Sequence, residues 1–284
     1  MIQVLLNGII VGGLYALISV GFALIFSSVR FYHLAYGSLA FFGAYITYVF
    51  RYSVGLNFFL SMILSSIIFG FVGILFWKMF YSPLQKKKTS SVSMIVASFG
   101  LLIVLQNVMS LIFGNGGKSI SIHDNLSQGY EFFNLFITYN QLVILAVTII
   151  VGILFEFMMN KMKFGMSIKA VGQNNDLAMT VGINYESVMN YVFFIATFLS
   201  VIGASLISLE IGIRPIYGFH IILKIIVACV IGGMGKVKGA IAGAMMLGII
   251  ENFGIYFFGS IWQDTIAFAL LTLFLVFRPK GVFE

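Results

Sequence analysis

Asn7, His33, Gln106, Asn107, Lys224, Glu251 and Asn252 are polar side chains set inside long apolar runs. Polar and ionisable groups in such surroundings are costly, which makes them candidates for function. Lys224 and Glu251 offer the clearest chemistry. At about 1.5 Å of helix rise per residue, both fall roughly 10 Å below the same surface on successive segments. They are expected to pair across helices, as a structural ion pair or as a gate; Asn7 and His33 are further pathway candidates. Catalytic machinery is not legible. No Ser/His/Asp or Cys/His set and no metal-ligand spacing stands out. The single Cys229 sits in an apolar run and reads as a small buried hydrophobe, with no disulfide framework or zinc cluster. The stretch "GGMGKVKG" (232–239) lacks the four-residue spacing of a phosphate-binding loop, and Val237 follows Lys236 where that motif needs Ser or Thr. It reads as a turn, and no catalysis, metal or cofactor is expected in this polypeptide.

The elements that hold these residues are membrane spans. Of 284 residues, 61% are hydrophobic and 9% charged, whereas a soluble domain carries about a quarter charged residues. The apolar runs are continuous, which favours helices over a β-barrel. The expected fold is an all-α polytopic membrane protein of about 8–9 transmembrane helices, a single domain over 1–284. Nine segments are read at 4–26, 31–50, 57–80, 92–113, 139–158, 190–210, 217–233, 239–259 and 264–278. The first is expected to be an uncleaved span, since no basic residue precedes Arg30. Pro83, Pro215 and Pro279 fall at segment ends, where a missing N–H costs least. The second, seventh and ninth segments are the weakest, and the second or seventh could be re-entrant.

Placing "QKKKTSS" in the cytoplasm puts Arg30, Lys78, Lys86, Lys87, Lys88, Lys161, Lys163, Lys169, Lys236, Lys238, Arg278 and Lys280 inside. Only Arg51, Lys118, Arg214 and Lys224 fall outside, as the positive-inside rule requires. The N-terminus is then out and the C-terminus in. The net charge of +7 becomes a topology signal, and nucleic acid is not expected as a partner. Residues 114–138 form an extracytoplasmic loop and 159–190 a cytoplasmic one.

That cytoplasmic stretch is polar between two apolar runs. "SIKAVGQ" has amphipathic helical character, "NND" supplies N-cap residues, and Gly182 suits the left-handed end of a helix. The pattern predicts a short capped helix outside the membrane, with Leu177, Ala178 and Val181 as an apolar contact edge; the alternative is a solvated loop. Gly8/Gly12 and Gly239/Gly243 are small-residue pairs that allow close helix approach, within the chain or toward a second subunit. Glu210 and Arg214, four apart, are expected to form a local ion pair or to serve in docking.

Ala178-x-x-x-Gly182, preceded by Asp176, is similar to the cytoplasmic loop of bacterial ABC importer permeases. The longer run "GMSIKAVGQNNDLAMTVGIN" resembles the branched-chain amino-acid branch of that family, with Lys169 where Arg is common and Asp176 for the first acidic residue. The opening "LNGIIVGGLYALISVGFALIFSSVRFYHLAYGSLAFFGAY" resembles the family's start, with Tyr32 where Asn is usual, Tyr36 where His is common and His33 three residues earlier. "KIIVACVIGGMGKVKGAIAGAMMLGIIEN" and "VFRPKGVFE" resemble its penultimate region and ending. The resemblance implies a bacterial inner-membrane permease for branched-chain or apolar amino acids. It implies partners too: a related or identical second permease, a solute-binding protein outside, and two cytoplasmic ATPases carrying ATP and Mg. Lys169, Asn175, Asp176, Leu177, Ala178, Val181 and Gly182 would couple to those ATPases. A urea or short-amide permease, a self-contained secondary carrier and a membrane scaffold are the competing readings.

Overall fold

The computed structural model describes residues 1–122, 129–132, 135–278 and 281–282. The helices are α1 (Ile2–Val29), α2 (Ala35–Tyr52), α3 (Phe58–Phe76), α4 (Ser82–Lys86), α5 (Ser91–Phe113), α6 (Tyr139–Lys161), α7 (Lys163–Gln173), α8 (Asn175–Thr180), α9 (Tyr185–Ile211), α10 (Tyr217–Gly232), α11 (Val237–Phe258) and α12 (Gln263–Phe277). A small hairpin, β1 (Gly129–Phe132) with β2 (Leu135–Thr138), lies within the 114–138 loop, where no strand was expected. Pro279 and Lys280 lie outside the described residues.

Each of the nine segments read from the sequence contains a helix. Among the described residues, seven helices are long and apolar enough to cross a membrane. α2, with 18 residues, is not one of them, and α10 has only 16. These two are interior helices. Most of α2 and α10 is buried, as are α1 and α9 along most of their length, whereas α5, α6 and α12 show long apolar faces outward. A helix wrapped by other helices does not have to meet lipid, so α2 can carry four tyrosines and an arginine.

The packing repeats itself. α1 packs on α9, and α2 on α10. α1 lies against α11 as α9 lies against α3; α2 also contacts α3 and α9, as α10 contacts α11 and α1. α5 rests on α2, and α12 on α10. Gly21 of α1 abuts Ala196 and Gly203 of α9 abuts Ile18, so α1 and α9 run antiparallel. Two inverted halves, α1–α5 and α9–α12, therefore face each other. In each half a long helix ends in a left-handed residue (Arg30 φ 57°, Gly212 φ 74°), followed by a short break and a shorter helix. α2 and α10 cross at their first turns: a Cβ on Gly218 would lie 2.7 Å from the Ser38 Cα, and one on Gly37 would strike the Gly218 carbonyl.

Small and hydroxyl side chains make these contacts possible. A Cβ on Gly8 would lie 2.8 Å from the Ile249 Cα, and one on Gly12 would lie 2.9 Å from the Met245 Cα, so this pair closes the α1–α11 interface. Gly239 and Gly243 meet Gly232 and Ala228 of α10. Both glycine pairs are thus spent on contacts within the chain. Thr47 joins α2 to Ser65 of α3 and Ser205 of α9 through their hydroxyls.

Pro83 does not end a segment. It sits in the first turn of α4, continuous with α3 through a π-helical turn, Trp77–Tyr81. The Ser82 N–H bonds to the Trp77 carbonyl, and this wider register lets the helix pass a residue that has no N–H to offer.

Gly248→Ala tests the close approach, because the added Cβ would sit 2.5 Å from the Gly12 Cα. The variant should be destabilised by about 1–3 kcal/mol, read as a lower Tm in detergent. Gly152→Ala, where nothing lies within 4 Å, should leave Tm unchanged.

Candidate functional site

Two regions carry the polar chemistry. The first lies between α1, α9, α10, α11 and α12, toward the end of the bundle where α1 begins. Lys224, on the second turn of α10, has its ammonium 3.3 Å from Glu251 Oε1 of α11 and 3.2 Å from Asp264 Oδ1 of α12. The Tyr15 hydroxyl of α1 donates to Glu251 Oε2 at 2.9 Å, and Gln263 Nε2 donates to the same oxygen at 3.2 Å. Lys224 lies 3.4 Å from the Tyr15 hydroxyl and 5.8 Å from its ring centroid. His220 Nδ1 stands 3.9 Å from Asp264 Oδ2. Glu251 is fully enclosed, Lys224 nearly so, and Asp264 is half-exposed.

This network floors a cavity of about 460 Å³. Its walls are apolar where Ile10, Leu14, Phe41, Ile207 and Ile221 face it, and polar where Asn7, Gln141, Glu210, Asn252 and Asp264 do. Asn7 accepts a hydrogen bond from Gln3, whose amide also pairs with the Phe136 backbone of β2 and so ties α1 to the hairpin. Glu210 and Arg214 form no ion pair. α9 ends at Ile211, so the two are not on one helical face, and Arg214 instead lies beside Gly117. Gln106 and Asn107 belong to α5, away from the cavity, and Asn107 and Asn252 each bond a carbonyl of their own helix.

His33 is in neither region. It lies in the break before α2, fully buried, with Nδ1 within 3.1 Å of the Ser98 hydroxyl and 3.0 Å of the Tyr81 hydroxyl. The Ser98 hydroxyl also accepts the Ala35 N–H, so His33 helps to cap the start of α2. Tyr36 fills the crossing of α1 and α9, its hydroxyl 3.0 Å from the carbonyls of both Ile18 and Ala196.

The second region is the polar stretch between α6 and α9. Asn174 caps α8 by accepting the Leu177 N–H at 3.1 Å, and Gly182 takes φ 86° just past its end. Leu177 and Val181 are 63% and 77% exposed, but Ala178 is 3% exposed and faces the protein. Ala178 thus leaves the outward edge and seats α8 instead. Asp176 lies in the first turn of α8, and Asn175 Oδ1 is enclosed without a partner among the described residues. Lys169 turns away from α8: it donates to Asn160 of α6 and lines a cavity of about 740 Å³ with Arg30, Lys236 and Lys238.

Three links, missed in the sequence, tie this stretch to the bundle. Arg30 donates to the Gly172 carbonyl at 3.2 Å, fixing the end of α1 to α7. Glu186, in the first turn of α9, accepts from Trp77 at 3.3 Å and Ser82 at 3.1 Å and pairs with Lys86 at 2.8 Å. Tyr185 and Gln85 exchange hydrogen bonds beside it. The end of α1 is thus tied to α7, and the start of α9 to the segment Trp77–Lys86.

Residues 4–275 match the family described as branched-chain amino acid transport system / permease component. The chain is 29% identical over 293 residues to the high-affinity branched-chain amino acid transport system permease protein BraD of Pseudomonas aeruginosa, covering 99% of this chain and 95% of that protein. It is 25% identical to the permease LivH of Escherichia coli K12, covering 99% and 94%. Among solved structures it is similar in fold to PsaBC from Streptococcus pneumoniae in complex with Fab, with TM-score 0.53 and 13% identity over 98% of this chain and 91% of that one.

Breaking the Lys224 pair should reveal its burial. Lys224→Met alone strands the Glu251 carboxylate and should cost about 3–5 kcal/mol, and adding Glu251→Gln should recover most of that. Asp264→Asn, at a half-exposed position, should cost less than about 1 kcal/mol. Thermal unfolding of the purified protein checks all three.

Proposed function

The chain belongs to the branched-chain amino acid transport permease family, and on that premise we propose that it carries apolar amino acids inward through the membrane under the control of partner ATPases. It is a permease subunit of an ABC importer and a multi-pass membrane protein. The proposed complex holds a second permease, two cytoplasmic ATPases with ATP and Mg, and a solute-binding protein outside. The proposed location is the bacterial inner membrane, with the N-terminus outside and α7 and α8 in the cytoplasm. In this scheme the chain itself performs no covalent chemistry.

The observation that carries the reading is α8. It is a capped helix standing outside the bundle, with Leu177 and Val181 turned away from the rest of the chain. A connecting loop needs no such helix, since most connections are about 4–6 residues long. ATP binding would draw the ATPases together and shift α8. Through Arg30, Glu186 and Tyr185 the shift would reach the cytoplasmic ends of α1, α4 and α9. Access then switches because ATP and substrate bind the two arrangements with different affinity.

Leu177→Asp with Val181→Asp should release the ATPases from a tag purification of this chain while its Tm stays within about 2 °C, because exposed substitutions cost little. Gly182→Val and Ala178→Leu should separate ATP hydrolysis from leucine uptake in proteoliposomes. ATPase retention with normal uptake in all these variants would refute the coupling role. Uptake by the chain alone without ATP would make it a carrier, and uptake of urea in place of leucine would move the substrate.

A further inference from the structure

We propose that the cavity above Lys224 is a binding site for a zwitterion, with Lys224 taking the ligand's carboxylate, Glu210 and Asp264 its ammonium, and the α1–α10 wall its branched side chain. The inference rests on the importer reading for its ligand class, and on the cavity for its chemistry.

Two carboxylates, Glu251 and Asp264, hold the Lys224 ammonium, and a third, Glu210, lines the same cavity. Glu210 lines the cavity with no ion-pair partner among the described residues. A ligand carrying only negative charge would be repelled, and one carrying only an ammonium would make no use of Lys224. The two acids bound to Lys224 are unequal. Glu251 is enclosed and held by Tyr15 and Gln263, so it stays. Asp264 is half in solvent and can rehydrate when it lets go, while Lys224 keeps Glu251 as its partner. A ligand carboxylate would take its place on Lys224, and the released Asp264, with Glu210, would face the ligand's ammonium. Ile10, Leu14, Phe41, Ile207 and Ile221 leave an apolar surface for the remainder. The volume, about 460 Å³, falls in the roughly 300–1,000 Å³ range of small-molecule sites.

The test uses the whole transporter, purified through a tag on this chain and held in lipid nanodiscs without ATP. Radiolabelled L-leucine is displaced by leucine, by 4-methylpentanoate (no ammonium) and by 3-methylbutylamine (no carboxylate). Each analogue should compete at least about tenfold more weakly than leucine. Glu210→Gln should narrow the gap between leucine and 4-methylpentanoate. Asp264→Asn should shift the analogues in opposite directions, tighter for 4-methylpentanoate, whose rival on Lys224 is gone, and weaker for 3-methylbutylamine. A purely structural role for Asp264 would move both the same way. Unchanged leucine binding in both variants, analogues that shift together, or wild-type leucine uptake without leucine binding here would overturn the site and leave the importer reading standing. Absence of leucine uptake by the wild-type transporter, with this binding pattern intact, would overturn the importer reading instead.

Discussion

In hydrocarbon no backbone N–H or C=O can turn to water, so a chain can leave the helix at membrane depth only where protein surrounds it. This chain leaves the helix at residues 30–34 and 212–216, where Arg30 and Arg214 are exposed but Phe31, His33 and Ile213 are enclosed by protein, and much of its architecture follows. The short helices that start after these breaks, α2 and α10, begin against the middles of their neighbours and must be wrapped. α1 and α9 supply the inner wall, α3 and α11 the next, and α5 and α12 cover the outside. The first turn of α2 is satisfied locally by Ser98, with His33 and Tyr81 completing the cluster. Close wrapping in turn demands small residues where backbones touch, which is why Gly37 meets Gly218 and Gly12 meets Gly248.

The sequence made the outer layer of this arrangement readable. Spans that face lipid are continuous apolar runs, and the caps of α8 at Asn174 and Gly182 obey local rules that need no tertiary knowledge. The pairing of Lys224 with Glu251 could be anticipated from depth alone, because two charges at one level have few other partners. What stayed hidden depends on neighbours. Asp264 opens α12 and looks like a surface residue until α12 packs on α10 and brings it to Lys224. Tyr15 is one aromatic among many, and only the rotation of α1 aims it at Glu251. Ala178 has the helical spacing of an outward edge, yet the seat of α8 turns it inward. Glu210 and Arg214 have the spacing of a helical ion pair, but the helix stops between them. Pro83 signals a break that the π-helical turn before it makes unnecessary.

The inverted halves give the molecule a centre of close contacts and two differently charged ends. Arg30, Lys169, Lys236 and Lys238 gather at one end, while carboxylates outnumber the ammonium in the cavity at the other. The contacts between the halves include glycine backbones and single hydroxyls, such as Tyr36 between Ile18 and Ala196, and large aromatic side chains, with Trp77 and Tyr81 packed on Phe193 and Phe41 on Tyr217. A tilt of one half on the other, of the hinge or shear type, must therefore slide the close glycine contacts and repack Phe193 against Trp77 and Tyr81.

Such a design also bears on why Lys224 and Glu251 are present at all. A buried ion pair is weak grounds for stability, because desolvating both charges offsets most of their attraction and an apolar pair of similar volume does as well. Stability alone would have been served by two leucines. The pair instead keeps one ammonium fixed at the bottom of a cavity, anchored on its buried side by Glu251 and answered on its open side by Asp264, which solvent can release. Desolvating that charge contributes little to stability even with both partners in place, so its position is better explained by an interaction with something in the cavity. On the proposed reading, the arrangement serves a pathway for a polar-headed, apolar-tailed solute, with the cavity at the end where α1 begins and α8 at the other.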